Sequence, residues 1–452
     1  MNILIAGEDV VGVRIAEELM GAHKVVYVAA EDNERLERLD VEFVRGSITA
    51  PDVLRSAHVD VTDLFVACTT NDEHNIVACI AAQRLGAKRT ICMLTRSGFL
   101  NVDDDGQALA ESLGIDVVVR PAEQLAEEII RIVTVPGALD VEDFAAARVR
   151  LLRYAVEERA AITMAPLSQL QLPAQVVLVM LKRGDEMLVP QGDTVVQPGD
   201  KVIAMGRGSG IRRLLTGFLR SEDHGADKRQ ATVVGAGTVG LAVVRGLEDA
   251  GFRVKVIEAN RKRCEEVAGQ VDSLVLHGDG ADLDLLEAEH IGDSPVLVAV
   301  ADNDEKNLLV SLLAKQLGVA RTVTRANRLH NEKMFEKVGI DVVRSAKGAA
   351  IRSVVRNVDT DHFEIRAELE HGDMCVIELD LPDSFPETRL SELSPPTFAR
   401  VGSVLRGRRV IVPGGNDVLR PRDQVLVFCG RADEEETREF FLNYEGERVV
   451  DG

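Results

Sequence analysis

A glycine-rich turn that follows an apolar strand occurs twice in this chain, and most of what surrounds it occurs twice as well. Gly7-Glu8-Asp9-Val10-Val11-Gly12 follows Ile3-Leu4-Ile5, and Gly235-Ala236-Gly237-Thr238-Val239-Gly240 follows Ala231 to Val234. Asn71-Asp72-Glu73 returns as Asn303-Asp304-Glu305, Asp116-Val117-Val118 as Asp341-Val342-Val343, and Gly46 as Gly278. At 452 residues there is room for three or four domains, each large enough for its own core. A single nucleotide fold usually belongs to an enzyme. A tandem pair with one eroded copy points instead to a sensor.

The first copy alternates strands and helices. Asn2 to Ala6, Val25 to Val28, Glu42 to Arg45, Asp63 to Cys68, Arg89 to Leu94 and Asp116 to Val119 read as strands. Val11 to Met20, Glu31 to Leu39, Ala50 to Ala57 and Glu73 to Leu85 read as helices between them. Such alternation predicts a parallel, doubly wound sheet, and residues 231–345 repeat the order. Each copy is followed by short apolar runs broken by Pro and Gly, where Val189-Pro190…Pro198-Gly199-Asp200 is echoed by Val412-Pro413…Pro421-Arg422-Asp423. The expected class is α/β: two Rossmann-like doubly wound parallel sheets, each followed by a small α+β module. The expected bounds are 1–140 and 229–358 for the Rossmann-like domains, and 141–222 and 360–445 for the small modules. The hydrophilic stretch Ser221 to Gln230 reads as the linker between the two halves.

A net charge of -21 argues against nucleic acid and against coating an anionic membrane. No apolar run approaches the roughly 20 residues that span a bilayer. The first strand begins at Asn2, which leaves no room for a cleaved leader, so a cytoplasmic protein is expected. The six cysteines (Cys68, Cys79, Cys92, Cys264, Cys375, Cys429) are scattered singly and read as small buried hydrophobes, not disulfides or metal ligands.

The second glycine turn carries the chemistry. Its first Gly permits the tight turn, its second lets backbone approach a pyrophosphate, and its third packs helix on strand. Glu258 ends the next strand, where a carboxylate accepts bonds from ribose hydroxyls. Gly278-Asp279 ends the third strand near an adenine edge, although Asp279 also fits as a helix cap. Ala301-Asp302-Asn303-Asp304 closes the fourth strand at the same sheet edge. Arg261 and Arg263 read as a solvated helix face. In the first copy Asp9 occupies the place of the second Gly, with Glu8 before it. Ala30 stands where Glu258 stands, beside Glu31, and Ser47 replaces Asp279. Carboxylates there would repel a pyrophosphate. No catalytic set is present: the nine histidines are dispersed, His74 has Lys306 as its counterpart, and no metal motif occurs.

Val135-Pro136-Gly137-Ala138-Leu139, Asn71-Asp72-Glu73-His74-Asn75, Asn303-Asp304-Glu305-Lys306-Asn307 and Gly278-Asp279-Gly280 fall in a fixed order with the two glycine turns. In that order the chain resembles the TrkA-type regulatory subunits of bacterial potassium uptake systems. These carry two tandem units that regulate K⁺ conductance, each a Rossmann-like part and a small C-terminal part. The resemblance covers essentially the whole chain. It implies a cytoplasmic gating ring at the inner face of the cell membrane, under a TrkH- or KtrB-type membrane K⁺ channel subunit, without insertion into the bilayer. It implies NAD(H) or ATP/ADP as regulatory ligand, with no metal. The positions it implies are Gly235, Ala236, Gly237, Thr238, Val239, Glu258 and Ala301, and in the first copy Gly7, Glu8, Asp9, Val10, Val11, Ala30 and Thr69. Asp9, Ala30 and Arg422 depart from the family pattern. Two units per chain imply a homotetramer, a closed ring of eight units. The alternative is a soluble NAD(P)-dependent oxidoreductase with the small modules as substrate or dimerisation domains. A third reading is a sensor for another membrane partner such as a cation/proton exchanger.

Overall fold

The computed structural model describes residues 1–8, 10–21, 23–32, 34–96, 106–144, 148–184, 186–220, 229–358, 363–369, 374–396, 399–407 and 409–444. The chain divides into two compact units that gather like with like. Met1–Ile130 joins Arg229–Val358, and Arg131–Lys228 joins Asp359–Gly452.

In the first unit, the first copy comprises β1 (Asn2–Ala6), α1 (Val10–Leu19), β2 (Lys24–Ala29), β3 (Glu42–Arg45), α2 (Pro51–Ser56) and β4 (Leu64–Ala67). It continues through α3 (Asp72–Leu85), β5 (Arg89–Met93), α4 (Gly106–Ser112), β6 (Val117–Val119) and α5 (Pro121–Thr134). The strands form one parallel sheet ordered β3-β2-β1-β4-β5-β6. Ile3, Leu4 and Ile5 are all buried, as expected of a strand covered on both faces. Among the described residues of the predicted helix from Glu31 to Leu39, a single 3₁₀ turn at Leu36–Arg38 is formed. The reason is visible in the second copy, where Asn260 caps the corresponding helix by accepting from the Arg263 N–H. In the first copy the equivalent position holds Glu31.

The chain next lays down the first small module, described below: β7 (Ala138–Phe144), β8 (Val149–Ala155), β9 (Val176–Arg183), β10 (Glu186–Leu188), β11 (Lys201–Gly206) and α6 (Gly208–Leu214). The second copy then follows as β12 (Gln230–Val234), α7 (Thr238–Asp249), β13 (Arg253–Glu258), α8 (Arg261–Ala268), β14 (Leu274–His277) and α9 (Leu283–Ala288). It ends with β15 (Val296–Ala299), α10 (Asp304–Gln316), β16 (Arg321–Arg325), α11 (Leu329–Val338), β17 (Val342–Arg344) and α12 (Ala346–Arg356). Its sheet order is β14-β13-β12-β15-β16-β17, the same as in the first copy.

Polar residues that echo between copies tie these sheets together. Asp116 accepts from the Thr90 N–H at 2.7 Å and Asp341 from the Thr322 N–H at 2.8 Å, each stitching one strand to the start of the next. Buried Asn75 donates to the carbonyls of Thr69 and Met93, and buried Asn307 to those of Ala301 and Arg325.

The last helix of each copy packs on the other copy. Ala350, Ile351, Val354 and Val355 of α12 share a buried cluster with Val11 and Ile15 of α1, Met93 and Val119. Ile130 of α5 fills the space above Gly246 of α7. Glu128 of α5 is 4% exposed and takes two bonds from Arg352 of α12 (Nε–Oε1 3.0 Å, Nη2–Oε2 2.6 Å), with Arg344 Nε at 3.9 Å.

In the second unit, the first small module is an antiparallel sheet ordered β10-β9-β11-β8-β7. The second comprises β18 (Phe363–Leu369), β19 (Met374–Asp380), β20 (Thr388–Arg389), β21 (Arg400–Arg406), β22 (Arg409–Ile411), β23 (Val418–Leu419), β24 (Gln424–Gly430) and α13 (Glu434–Leu442). Its main sheet runs β18-β19-β24-β21-β22. Met180, Ile203 and Met205 share one apolar core with Met374, Val376 and Phe428. Asp200, buried, grips the preceding turn through the Gln197 N–H (2.8 Å) and holds Arg183 in a two-pronged bond; Asp423 does the same with the Arg420 N–H (2.9 Å) and Arg406. Gly199 sits at φ +84° between them, and Arg422 takes the same left-handed conformation at φ +63°, its guanidinium bonded to Asp383. All six cysteines are free and buried. Residues 221–228 of the expected linker lie outside the described residues; Gln230 already belongs to β12.

Removing a buried carboxylate from between two cations is expensive, whereas removing an exposed helix pair is not. Glu128→Ala is therefore expected to destabilise the nucleotide-fold unit by about 3 kcal/mol in urea unfolding followed by circular dichroism. Glu265→Ala, which breaks an exposed contact with Arg261, is expected to change it by under ~0.5 kcal/mol.

Candidate functional site

In an open parallel sheet the strand order reverses beside the first strand, and the crevice at the C-terminal strand ends is where ligands sit. In the second copy this lies between β12 and β15. Gly235 leaves β12 at φ +101°, and a Cβ there would come within 2.8 Å of the Ala301 nitrogen, so the turn presses on the end of β15. Gly240, in the first turn of α7, lies against the Gly235 carbonyl oxygen and admits no side chain. Gly237 is different: nothing lies within 4 Å of where its Cβ would be. It caps α7, so the helix-start N–H groups of Thr238 and Val239 open toward that space with the positive end of the helix dipole.

Glu258 ends β13 and brackets the turn. Its carboxylate accepts from the Ala236 N–H at 2.7 Å and the Asn260 N–H at 2.8 Å. Two of its roughly four acceptor positions are thereby used. The Cys264 thiol, pushed up first by burial and then by the Glu258 charge, donates to the Glu258 carbonyl. Arg261 is solvated as expected, but Arg263 is not: its Nε donates to the Ala236 carbonyl at 2.7 Å. Gly278 donates its N–H to the Glu258 carbonyl at 3.0 Å.

Asp279 does not cap α9; Asp282 does, through the N–H groups of Asp284 and Leu285. The Ala281 N–H (3.0 Å), and next Lys306 Nζ (2.9 Å), hold the Asp279 carboxyl below the usual carboxylate range. Lys306 lies in the first turn of α10. This ion pair therefore joins the segment after β14 to the helix after β15, with β13 and β12 between them in the sheet. Ala301 gives its N–H to Asn307 Oδ1 (2.9 Å), and Asp302 beside it takes Arg325 Nη1 (2.9 Å).

The structure brings the expected turn, Glu258, Asp279 and Ala301 to one sheet edge, together with Asn260, Arg263, Lys306 and Arg325, which the sequence reading did not place there. A comparison of copies could have found Arg325, because a charged residue ends β16 where Met93 ends β5.

The first copy has the same scaffold with different side chains at the turn. The Gly7 N–H bonds the Val28 carbonyl as the Gly235 N–H bonds that of Ile257. That register places Ala29, not Ala30, opposite Glu258, and Glu31 opposite Asn260; a one-residue shift in the loop misled the sequence alignment. Tyr27, 1% exposed, stands where the second copy has Val256, and its hydroxyl would lie 2.6 Å from a Cβ on Gly7. Gly12 meets the same hydroxyl. These two glycines are accounted for by a packed ring. Glu8 is exposed, Val10 and Val11 begin α1, and Asp9 lies outside the described residues. Thr69 is buried and committed to Asn75 through both its N–H (2.9 Å) and its hydroxyl (2.7 Å). Ser47 bonds Thr49 and supplies no carboxylate. Among the described residues no group of His, Cys, Asp or Glu is arranged to hold a metal ion, and no helix is long and apolar enough to cross a membrane.

The family model for the TrkA-N domain matches residues 3–121 and 231–346, and that for the TrkA-C domain matches 153–216 and 377–442. A Trk system potassium uptake protein TrkA homolog of Archaeoglobus fulgidus is 31% identical over 98% of this chain and 100% of its own length. Trk system potassium uptake protein TrkA of Halomonas elongata is 28% identical over 95% of each. Among solved structures, the GsuK RCK domain covers 96% of this chain and 93% of its own at a TM-score of 0.58 and 18% identity. The GsuK channel bound to NAD covers 97% of this chain and 78% of its own at a TM-score of 0.58 and 17% identity. That likeness is one of fold.

A carboxylate with a lowered folded-state pKa adds stability above its unfolded value, and that stability is lost as pH falls through the folded value. For Asp279 the window lies below about pH 4. Asp279→Asn removes this component. The thermal midpoint of the variant is expected to fall less than that of the wild type between about pH 5 and pH 3, as read by scanning calorimetry; an identical drop would show that Asp279 does not contribute.

Proposed function

The chain belongs to the TrkA family of Trk-system potassium uptake proteins, and from that premise we propose that it is a non-enzymatic, nucleotide-sensing regulatory subunit whose second copy holds the ligand. The carrying observation is the Glu258 bracket: a carboxylate fixed at the mouth of a glycine turn, facing the open space at Gly237. An adenine dinucleotide or ADP places its pyrophosphate against the N–H groups of Gly237 to Val239 and its ribose hydroxyls on the remaining acceptor positions of Glu258. Gly278 and Asp279 border the adenine, and Ala301 closes the floor. The fold is one in which the GsuK channel is known with NAD bound, which supports the same class of ligand here.

The first copy, with Tyr27 under its turn and Ala29 in place of the acid, serves assembly and contact with the membrane partner. That partner is a K⁺ channel subunit of the TrkH or KtrB kind, met from the cytoplasmic side. Ligand acts by favouring the conformation it binds better, and the shift cannot exceed its difference in affinity between states. A coupling of about 1–3 kcal/mol per site is typical. A homotetramer would place four such sites in one ring.

Two outcomes test this. In calorimetric titration of the full chain with NAD⁺ and ADP, Glu258→Ala is expected to weaken both ligands by about tenfold or more, since hydrogen bonds to a charged group are worth roughly 1.5–3 kcal/mol. Gly237→Asp, which copies Asp9 of the first turn, is expected to abolish most binding; unchanged affinity in both variants would sink the assignment. Light scattering should report four chains per particle, and a stable monomer would contradict the ring.

A further inference from the structure

We propose that Cys375 and Cys429 are a redox-modification site of the second small module, a dithiol that hydrogen peroxide closes into a disulfide between β19 and β24. The inference is independent of the nucleotide reading. The two cysteines are 54 positions apart in sequence. Strand pairing brings them face to face.

Cys375 is the register partner of Cys429 across the antiparallel pair β19 and β24. Their Sγ atoms share a hydrogen bond at 3.5 Å, and both residues are fully buried. Directly opposed residues on antiparallel strands stand roughly 4.5 or 5.5 Å apart at Cα, and a disulfide spans about 4.4–6.8 Å. The bond can therefore form by turning two side chains, without a shift of either strand. Alternation along the strands fixes the face on which the sulfurs lie. Met374, Val376 and Phe428 belong to the core shared with the first small module. Cys375 and Cys429 lie on the other face, in the cluster that includes Ile377, Val427 and Phe441 of α13. In the first small module β8 and β11 correspond to β19 and β24, and the same register pairs Arg150 with Gly206. Only the second module carries the dithiol at this register. Cys79 and Cys92 are neighbours as well, but on α3 and β5, and the Cys79 thiol donates to the Ile91 carbonyl at 3.6 Å.

Hydrogen peroxide is small enough to reach a packed site that excludes a bulky disulfide such as oxidised glutathione. One sulfur attacks a peroxide oxygen, the O–O bond breaks, and the departing hydroxide takes the thiol proton as water. The product is a sulfenic acid. The second sulfur attacks it, so the S–S bond forms and the S–O bond breaks. The second thiol proton leaves with that hydroxide as another water. The two thiols lose two electrons in all, and peroxide gains them. A resolving thiol in contact with the first sulfur intercepts the sulfenic acid before it can be oxidised further. Cys429, and next burial, push the Cys375 thiol well above the ordinary cysteine range. The thiolate is the nucleophile, so the reaction is slow. The pair closes under sustained oxidant, not on brief exposure. Once formed, the bond removes freedom from the unfolded chain between two distant strands.

The test treats the full-length protein with hydrogen peroxide, counts thiols after denaturation and locates any bond by peptide mapping. Two of the six thiols are expected to be lost together, to map to Cys375 and Cys429, and to return on reduction with dithiothreitol. The thermal midpoint of the oxidised protein is expected to rise by about 5 °C or more. Cys375→Ala and Cys429→Ala are each expected to form no disulfide and to show no rise, whereas Cys79→Ala keeps both effects. A wild type that retains all six thiols after hours of treatment would overturn the proposal. So would a bond between other cysteines, irreversible oxidation at either sulfur, or an unshifted midpoint. Mapping of the wild type decides the matter if a variant fails to fold.

Discussion

Asn307 is fully buried, and its carboxamide closes three bonds: from the Ala301 N–H, to the Ala301 carbonyl and to the Arg325 carbonyl. The ends of β15 and β16 are therefore held at a fixed separation. Gly235 packs on Ala301, Gly240 packs on Gly235, and α7 starts from that stack, so the open space at Gly237 is set by an amide on a different helix. Asp302 follows directly from one residue that Asn307 grips, and Arg325 is the other. Each buried group left unpaired by loss of the amide would cost roughly 1–3 kcal/mol. The site is built on this knot.

The first copy keeps the knot and changes what stands on it. Asn75 grips Thr69 and Met93 in the same pattern. Above it the acid is replaced by Ala29, Val256 by Tyr27, and the charged strand tip by Met93, which packs with apolar residues of α12. Conserving the frame while exchanging the chemistry allows two copies of one fold to divide labour. The second copy has carboxylates at its crevice, and the first has an aromatic ring beneath its turn.

Packing of the copies follows from the helices that end them. α5 and α12 each lie on the opposite copy, and Glu128, Arg352 and Arg344 meet there from elements that are more than two hundred residues apart in sequence. A buried carboxylate between two cations is poor as a source of stability but costly to break. It joins the last helix of one copy to the last helix of the other. The paired small modules are joined by an apolar core instead, with Met180, Met205 and Met374 filling the seam.

Much of this was legible in the residues. The repeated glycine turns, the alternation of strand and helix, and an acid at the end of β13 were enough for the fold class and for placing Gly235, Gly237, Gly240 and Glu258 at one sheet edge. These are local signals, dictated by turn conformation and by the carboxyl edge of a parallel sheet. The helix expected at Glu31 to Leu39 failed because a cap, not a charge pattern, decides whether so short a helix forms. Ala30 was misplaced by one residue because strand register is set by hydrogen bonds to a neighbouring strand. Arg263, Lys306 and Arg325 were passed over because their roles depend on which distant carboxylate or carbonyl they reach. The sequence by itself determined that there are two Rossmann-like folds in tandem and that the second has an acid at the end of its second strand. Only the tertiary structure decided which charges are already paired, which copy each last helix covers and which strand tip stays open, because those are contacts between residues the chain brings together only when folded.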